Sequence, residues 1–372
     1  MYDVCIIGGG LGGLSLSIQM ADFGWKVLLL EKKNYPFHRV CGEYVATESW
    51  DFLRRIGVDD KALQLPQINH LLVSAPNGNY LESPLTTGGI GISRYLLDNT
   101  LYKIALEKGV TVLTKTTVQA IYEINEAWEI TTQKETYQSK SVVGAFGKRS
   151  NLDQKLNRSY IKQSKSRLNN FVAVKYHLTG DFDKTKIELH NFEGGYCGLS
   201  KVENDVLCMC YMVSGKVFHR EGSIEALEKN VLQKNPFLKK YLTYTRLWDR
   251  PLSIAQIDFS KKELIENNIP MIGDASGIIP PLSGNGMSMS MHASVIIAPL
   301  LDAFLNHEIT WNKLNQEYAK QWKASFHTRL KAGRLLQQSF GKNFITNIVI
   351  QVLKGSDTAT KKIIAATHGE VF

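Results

Sequence analysis

Two short apolar runs open the chain, and neither shows the alternation of a half-exposed strand. They are YDVCII at residues 2–7 and KVLLLE at residues 26–31. Near-continuous apolar strands are typical of parallel sheets that are covered on both faces. GGGLGG (8–13) follows the first run, and residues 14–24 predict a helix that Gly24 ends. Strand, glycine turn, helix and strand together predict a βαβ unit of about thirty residues.

Other kinds of structure are predicted further along the chain. Residues 70–83 hold an Asn-Gly pair between two strand-like runs, which is a hairpin signal. Residues 93–109 begin with Ser and end with Gly, as a capped helix does. Residues 171–213 alternate apolar and polar positions, which predicts an antiparallel sheet with one covered face. Residues 270–277 predict a buried strand and a turn, and the chain from 284 onwards is mostly helical.

The first glycine turn has the spacing of a nucleotide-binding motif. Gly8, Gly10 and Gly13 satisfy G-x-G-x-x-G, and Glu31 closes the second strand. In dinucleotide-binding folds the first glycine permits the turn, the second admits the pyrophosphate, and the third lets helix and strand pack. The helix N-terminus favours the pyrophosphate, and Glu31 stands near the distance expected for a carboxylate that binds ribose hydroxyls. These features predict a dinucleotide site without separating NAD from FAD.

A second glycine cluster, MIGDASGIIPPLSGNGM at residues 271–287, again combines a predicted buried strand, an acidic residue and glycines before a helix. Asp274 closes a predicted strand and can accept hydrogen bonds from a polyol. Pro281 fixes the approach of the chain, and Gly284 and Gly286 leave room for backbone N–H groups at the next helix start. Such a start would stabilise negative charge on a reduced isoalloxazine ring. Taken alone, the cluster is explained as well by a helix that is entered through a flexible turn.

Together with GISRYLLDNTL at residues 91–101, the two glycine regions resemble the flavoprotein family of aromatic hydroxylases, flavin halogenases and geranylgeranyl reductases. The resemblance implies FAD as the cofactor, with its adenosine at Gly8–Gly13 and Glu31, its ribityl chain at Asp274, and its ring near Pro281–Gly286. It also implies that Arg94 contacts the FAD phosphate region. An arginine at a helix start is equally compatible with a plain surface residue.

The resemblance implies an α/β fold (α+β overall). We expect a Rossmann-like FAD-binding domain of the glutathione-reductase type, an interleaved antiparallel-sheet substrate domain and C-terminal helices. The predicted ranges are 1–69, 93–160 and 258–310 for the FAD-binding domain, 70–92 and 161–257 for the substrate domain, and 311–372 for the helical region.

The stretch RVCGEYV (39–45) follows Glu31 after a short loop. In the fold that the resemblance implies, this loop passes from the ribose site towards the flavin ring. Arg39 is therefore predicted to contact the cofactor or a substrate anion. We expect Gly42 to allow close backbone approach and Glu43 to be a polar anchor for FAD. Cys41 would face the reaction.

Departures from the family pattern point to one branch. Hydroxylases carry an Asp-Gly pair that is used for FAD and NAD(P)H, and Phe146 stands in place of its Asp. This weakens the expectation that the chain responds to NAD(P)H as hydroxylases do. GDASG…PLSGNG and the Cys-Gly pair (41–42) are closer to prenyl reductases and related flavoprotein dehydrogenases. Those reductases favour Tyr-x-Trp-x-Phe-Pro in the substrate domain, and here only Tyr196 matches. The halogenase motif is absent from the corresponding stretch, residues 194–203.

Three functions follow as hypotheses. In the first, FAD exchanges hydride with a C=C bond of a hydrophobic molecule of prenyl, polyene or polyketide type, and NAD(P)H is the reductant. Cys41 is then the expected proton donor, with Tyr196 or His292 behind it. An inert buried thiol is an equal explanation of Cys41, and packing is the better explanation of His292. The alternatives are an O₂-dependent monooxygenase and an electron-transfer flavoprotein that docks to a partner or membrane.

The charge and the cysteine content indicate which partners and which cellular compartment suit the protein. The net charge is +9 among 372 residues, which suits anionic partners such as phosphates, a carrier-bound substrate or the cytosolic membrane face. Dispersed basic residues argue against nucleic acid. Five cysteines in a long chain indicate a reducing compartment, and strand alternation is the better explanation of Cys208 and Cys210 than a metal site. We expect a cytoplasmic protein with no secretion signal and no membrane span.

Overall fold

The computed structural model describes residues 1–163, 170–277, 286–339, 343–355 and 369–372. The strands within these ranges are β1 (Tyr2–Ile7), β2 (Val27–Leu30), β3 (Tyr44–Ala46), β4 (Gln67–Ser74), β5 (Tyr80–Gly91), β6 (Thr111–Leu113), β7 (Val118–Ile124), β8 (Ala127–Thr132), β9 (Thr136–Gly144), β10 (Phe171–Thr179), β11 (Lys186–Phe192), β12 (Gly195–Lys201), β13 (Leu207–Ser214), β14 (Thr245–Arg246), β15 (Leu252–Ile257), β16 (Ile265–Glu266) and β17 (Ile269–Pro270). The α-helices are α1 (Leu11–Asp22), α2 (Trp50–Arg55), α3 (Asp60–Leu63), α4 (Arg94–Glu107), α5 (Asn151–Lys155), α6 (Ser159–Gln163), α7 (Gly215–Glu221), α8 (Ile224–Asn230), α9 (Pro236–Tyr241), α10 (Gly286–Leu305), α11 (Trp311–Ser339) and α12 (Asn343–Lys354).

A six-stranded sheet contains the predicted βαβ unit. Its order is β6-β2-β1-β9-β8-β7. β1 runs parallel to β2 and β9, with Val4 opposite Val27 and Ile7 opposite Gly144. The buried apolar runs of both strands confirm the prediction of a parallel pair covered on both faces. The carboxyl ends of these strands meet at one edge, where ligands bind in open α/β sheets.

Helices α1, α4 and α10 pack together over this sheet. Leu14 of α1, Leu101 of α4 and Ile297 of α10 are fully buried in one apolar core. By length and composition, α10 is the one described helix that could cross a membrane, and 56% of its apolar window is buried inside the protein. Burial between neighbouring helices explains its apolar character. Leu314 and Tyr318 of α11 are also fully buried, so this face of the helix packs into the same core.

The second large sheet has nine strands. Its order is β14-β10-β13-β12-β11-β4-β5-β3, and β15 also pairs with β10. The hairpin predicted at the Asn-Gly turn is the antiparallel pair β4–β5. One face packs against α7, α8 and α9 through Tyr176, Leu199, Met209 and Tyr211. Since side chains alternate along a strand, the intervening residues of β10, β12 and β13 face the other side, where the loop that precedes β3 lies.

Two local expectations differ from the structure. Of the predicted strand and turn at residues 270–277, only Pro270 lies in a strand, as the last residue of β17, which pairs with β16, and Met271 forms an isolated bridge to Gly144. Pro270 has no N–H to donate to a ladder, and the chain then enters a 3₁₀ turn at Gly273–Ala275. In addition, β3 (residues 44–46), predicted within the FAD-binding domain, pairs with β5 of the nine-stranded sheet. The domain ranges themselves stay a prediction.

Candidate functional site

The glycine turn between β1 and α1 has the geometry of a pyrophosphate cradle. Gly8 has φ +113°, and a Cβ atom there would lie 2.3 Å from the Ala145 carbonyl oxygen. A Cβ atom on Gly13 would lie 2.0 Å from the Gly8 carbonyl oxygen, so the close contact of helix and strand needs glycine. A Cβ atom on Gly10 would meet no described residue within 4 Å. The turn therefore leaves open space at the position where a dinucleotide approaches the backbone.

The start of α1 suits an anion. Gly10 is its N-cap, no side chain caps it, and its first turn contains no acidic residue. The first amides of a helix have no partner within the helix, and its dipole favours negative charge at this end. Open space, unpartnered donors and helix dipole thus coincide at one point. The residues present fit the pyrophosphate of FAD.

Glu31 ties the end of β2 to the glycine turn. Its side chain is buried, and its Oε2 accepts from the Gly9 N–H at 2.8 Å while Oε1 accepts from the Lys33 N–H at 2.9 Å. Each carboxylate oxygen keeps a second lone pair for a ribose hydroxyl. The ribose contact of Glu31 stays a prediction, and its placement beside the cradle supports it.

A buried aspartate, which the sequence analysis missed, holds both predicted arginines. Asp98 is fully buried, and its Oδ2 accepts from Arg39 Nε at 2.8 Å. Arg94 donates to both of its oxygens, at 2.7 and 2.9 Å. Burial works to lower the pKa of Arg94, but the Asp98 charge prevails and the pKa stands above its ordinary value. The Arg94–Asp98 spacing of four on a predicted helix was the available signal.

Arg39 also reaches the glycine turn. Its Nη2 donates to the Gly9 carbonyl at 3.2 Å and lies 3.6 Å from Glu31 Oε2. The structure thus places both arginines beside the candidate phosphate site and anchors them to protein groups. Their contacts with FAD stay predictions.

Glu43 lies at the centre of a buried ion cluster. Its backbone has φ +57°, and its side chain is fully buried. Oε1 accepts from Lys175 Nζ at 2.5 Å and from the Arg94 N–H at 2.7 Å, and Oε2 lies 2.6 Å from His177 Nε2. Burial would raise the pKa of Glu43, but His177 and Lys175 lower it to about 2. Both oxygens are occupied by protein donors. The structure therefore makes Glu43 an anchor of its own loop, and its predicted contact with FAD gains no support.

The cluster also has the outline of a metal site. Ligand atoms of Glu43, His177 and Cys208 lie within 4.8 Å of one another. The Lys175 ammonium already supplies the positive charge beside Glu43. Burial raises the pKa of the Cys208 thiol well above its ordinary value, and Sγ donates to the Cys41 carbonyl at 3.5 Å. A hydrogen-bonded ion cluster is the better description.

Cys41 and Gly42 lie next to this anchor in the loop and are less buried than Glu43. Cys41 is half-buried, and its Sγ lies 3.7 Å from the Sδ atom of Met287 at the start of α10. Gly42 is exposed, and a Cβ atom there would meet no atom of the described residues within 4 Å. The thiol therefore lies beside the start of α10, near which the resemblance places the flavin ring.

Tyr196 lies on β12 in a small apolar cluster beside the same loop. It packs with Ala173, Met212 and Ile257, and Val40 joins the cluster from the loop. Burial raises the pKa of Tyr196 well above its ordinary value, so the phenol keeps its proton at neutral pH. Two groups that can hold a proton, Cys41 and Tyr196, thus border one apolar region.

Asp274 lies in the 3₁₀ turn after Met271, with its carboxylate partly exposed. Two buried cations hold this turn: Arg158 donates to the Ala275 carbonyl at 2.9 Å, and Lys262 donates to the Asp274 carbonyl at 3.2 Å. Sequence patterns gave no signal for either. The Asp274 carboxylate makes no hydrogen bond with the residues that the structure describes, and its contact with the ribityl chain stays a prediction.

Of the other three residues predicted near the flavin ring, the structure describes one. Gly286 is the first residue of α10, and within the part of the chain that the structure describes a Cβ atom there would meet nothing within 4 Å. Pro281 and Gly284 lie outside the described residues. Phe146 packs beneath the Arg158 guanidinium, which lies 6.0 Å from the ring centroid.

His292 does not join the site. Its ring stacks on Phe372 at 4.3 Å and meets Phe326 edge-on, and Nδ1 has no hydrogen-bond partner among the described residues. Burial, followed by the nearby Arg329, lowers the pKa of His292 to about 4. The packing explanation of this histidine is the one that the structure supports.

His292→Phe should make the free energy of unfolding depend less on pH below about pH 6.5. Without the substitution, the His292 imidazole takes up a proton near pH 6.5 in the unfolded chain but only near pH 4 in the folded chain. Stability therefore falls as pH drops from about 6.5 to about 4. The variant should lose less stability between pH 6.5 and pH 4, and its unfolding temperature at pH 8 should equal that of the native protein. Thermal unfolding across pH 4–8 measures both. The exposed His219→Gln variant is the control, and an equal slope in both variants would contradict the assignment.

Comparisons with known proteins agree with this geometry. A family model described as an FAD binding domain matches residues 1–321. Conditioned medium factor receptor 1 of Dictyostelium discoideum is 28% identical over 357 residues, covering 88% of this chain and 68% of the relative. Digeranylgeranylglycerophospholipid reductase 1 of Methanococcoides burtonii is 23% identical over 355 residues, covering 91% and 84%.

Solved structures show the same fold. A geranylgeranyl bacteriochlorophyll reductase-like protein from Thermoplasma acidophilum superimposes with a TM-score of 0.80 at 18% identity, covering 100% of this chain and 96% of that one. Flavin-dependent brominases and halogenases share the fold to a similar extent. The expected α/β fold with a glutathione-reductase-type FAD-binding domain is thereby confirmed.

Proposed function

Because this chain belongs to the FAD binding domain family, we propose that it transfers hydride to or from a C=C bond of a hydrophobic molecule. It is an FAD-dependent oxidoreductase of the superfamily that contains geranylgeranyl reductases, halogenases and hydroxylases.

The position of the Cys41 thiol carries the proposal. The thiol lies beside Met287 at the start of α10, and the preceding residue, Val40, packs into the apolar cluster around Tyr196. Hydride addition to a C=C bond requires a proton for the second carbon. A thiol that borders both a helix start and an apolar region is suited to deliver it to an alkene bound there.

FAD, when bound, supplies the hydride chemistry. The start of α1 and Glu31 would hold its pyrophosphate and ribose, and Asp98 orients Arg39 and Arg94 beside them. Cys41 would hold the proton for the carbon that does not receive hydride, and solvent would restore that proton afterwards. NAD(P)H is the proposed source of the hydride. In the reducing direction one hydride and one proton thus add across the double bond.

An apolar substrate is favoured by the surroundings of Tyr196. Phe171, Leu189, Ile254 and Phe259 pack around the cluster that contains Tyr196. Names of relatives point the same way, since several are digeranylgeranylglycerophospholipid reductases. We therefore propose a molecule with an extended unsaturated chain of prenyl or polyene type as substrate.

Anaerobic reduction of the purified holoprotein by NADPH or NADH tests the proposed reductant. We expect the flavin absorbance to bleach without any substrate present. Rapid bleaching only after an aromatic compound is added, followed by oxygen uptake and a hydroxylated product, would instead establish the monooxygenase alternative. Phe146, at the position of the hydroxylase Asp, favours the first outcome.

A further inference from the structure

One buried ammonium group reaches both ends of the loop that presents Cys41. Lys175 on β10 has a fully buried side chain. Its Nζ lies 2.5 Å from Glu43 Oε1 and donates to the Arg39 carbonyl at 3.3 Å. Arg39 and Glu43 are the first and last residues of the five-residue segment RVCGE. A single cation therefore ties the two ends of this segment to the nine-stranded sheet.

The backbone at Glu43 depends on these contacts. Its φ of +57° lies in the left-handed region, which a glutamate seldom adopts. Such a conformation persists only where its surroundings hold it. The surroundings here are Lys175, His177 and the Arg94 N–H, and the ring of Trp248 lies 4.6 Å from that of His177.

The middle of the segment is held more weakly. The Cys41 carbonyl accepts from Cys208 Sγ at 3.5 Å, and the Gly42 carbonyl accepts from Ser200 Oγ at 3.4 Å. A thiol donor and a long hydroxyl contact are weak hydrogen bonds. The charge-assisted contacts at the ends are the strong ones, so they determine where the thiol lies.

We propose that Lys175 is a positioning residue that fixes the Arg39–Glu43 segment and thereby places the Cys41 thiol beside α10. This inference rests on the proposed function only for its catalytic consequence, since the conformation of the segment can be measured without any turnover. Lys175 acts through Glu43 and the Arg39 carbonyl and does not itself touch the reacting atoms.

Hydrogen–deuterium exchange of the holoprotein tests this directly. Lys175→Met removes the charge and keeps a long apolar side chain. We expect a peptide that covers Ile92 and Arg94, whose amides donate to the Glu43 carbonyl and to Glu43 Oε1, to exchange about tenfold faster, the factor that corresponds to losing one hydrogen bond to a charged group. A peptide that covers β1 should keep its native exchange rate, because the opening is local. Equal acceleration of both peptides, or of neither, would overturn the proposal.

Lys201→Met is the matched control. Lys201 is also buried in the nine-stranded sheet, and it donates to the Gly180 and Asp205 carbonyls, away from the Cys41 segment. It should leave the exchange of the peptide that covers Ile92 and Arg94 at the native rate. Faster exchange there in this variant would also overturn the proposal.

A double variant covers the case in which Lys175→Met fails to fold because Glu43 is left as an unpaired buried charge. Glu43→Gln combined with Lys175→Met removes both charges and should give the same local acceleration. With an alkene substrate, either variant should lower kcat while FAD remains bound. If the exchange result holds and no alkene is reduced even by the native protein, the positioning role stands and the proposed reaction fails.

Discussion

Cys41→Ser lowers the rate of alkene reduction by about 10²- to 10⁴-fold while FAD stays bound, the range in which a positioned general acid contributes. A serine hydroxyl is a much weaker acid than a thiol, so proton delivery slows although the side chain keeps nearly the same shape. The FAD-binding residues are separate from the thiol, which explains why the flavin spectrum should not change. Steady-state rates and the absorbance of bound flavin are the measurements.

Cys210→Ser provides the control for that experiment. Cys210 is also a half-buried thiol, on β13, and it has no proposed role in proton transfer. Its rate should stay close to that of the native protein. Unchanged turnover in Cys41→Ser would return Cys41 to a packing role and leave Tyr196 as the candidate donor.

Asp98→Asn should destabilise the fold by about 3 kcal/mol, the lower end of the range for removing one partner of a buried ion pair. The low end applies because the Arg39 side chain is 28% exposed. Asparagine keeps the shape of the side chain but leaves the two guanidinium groups without their shared carboxylate. Arg39 would also lose its orientation beside the glycine turn, so FAD should bind more weakly. Urea unfolding and fluorescence titration of FAD measure the two effects.

The control for this change is an exposed ion pair. Asp51 lies 3.1 Å from Arg54 and is 67% exposed, so Asp51→Asn should change stability by no more than about 1 kcal/mol. Equal stability of the two variants would contradict the view that Asp98 is the shared counter-ion of the site.

The cofactor cradle could be predicted because its signals are local. Gly8, Gly10 and Gly13 lie within six residues, and the strand, turn and helix that give them meaning are adjacent in sequence. The Ser93 cap is similarly local, and its Oγ accepts from the Leu96 N–H as predicted. Short-range patterns of this kind follow from helix and turn geometry alone.

The ion clusters could not be predicted because they join distant parts of the chain. Asp98 and Arg39 are 59 residues apart, and His177 and Glu43 are 134 apart. Charged residues of one sequence can pair in many ways, and only the sheet register selects among them. Lys175 and His177 share one face of a predicted strand, but nothing in the sequence shows that Glu43 lies against that face. The loop carrying Cys41 was thus recognised, while the groups that hold it were not.

A single-turnover reaction without oxygen tests the central claim most directly. Holoprotein with chemically reduced FAD is mixed anaerobically with a prenyl or polyene compound, and flavin absorbance and product mass are followed together. The account predicts that the flavin is reoxidised as the product gains two hydrogen atoms, and that Cys41→Ser slows both events. A flavin that stays reduced until oxygen enters, with a product that gains an oxygen atom, would contradict it.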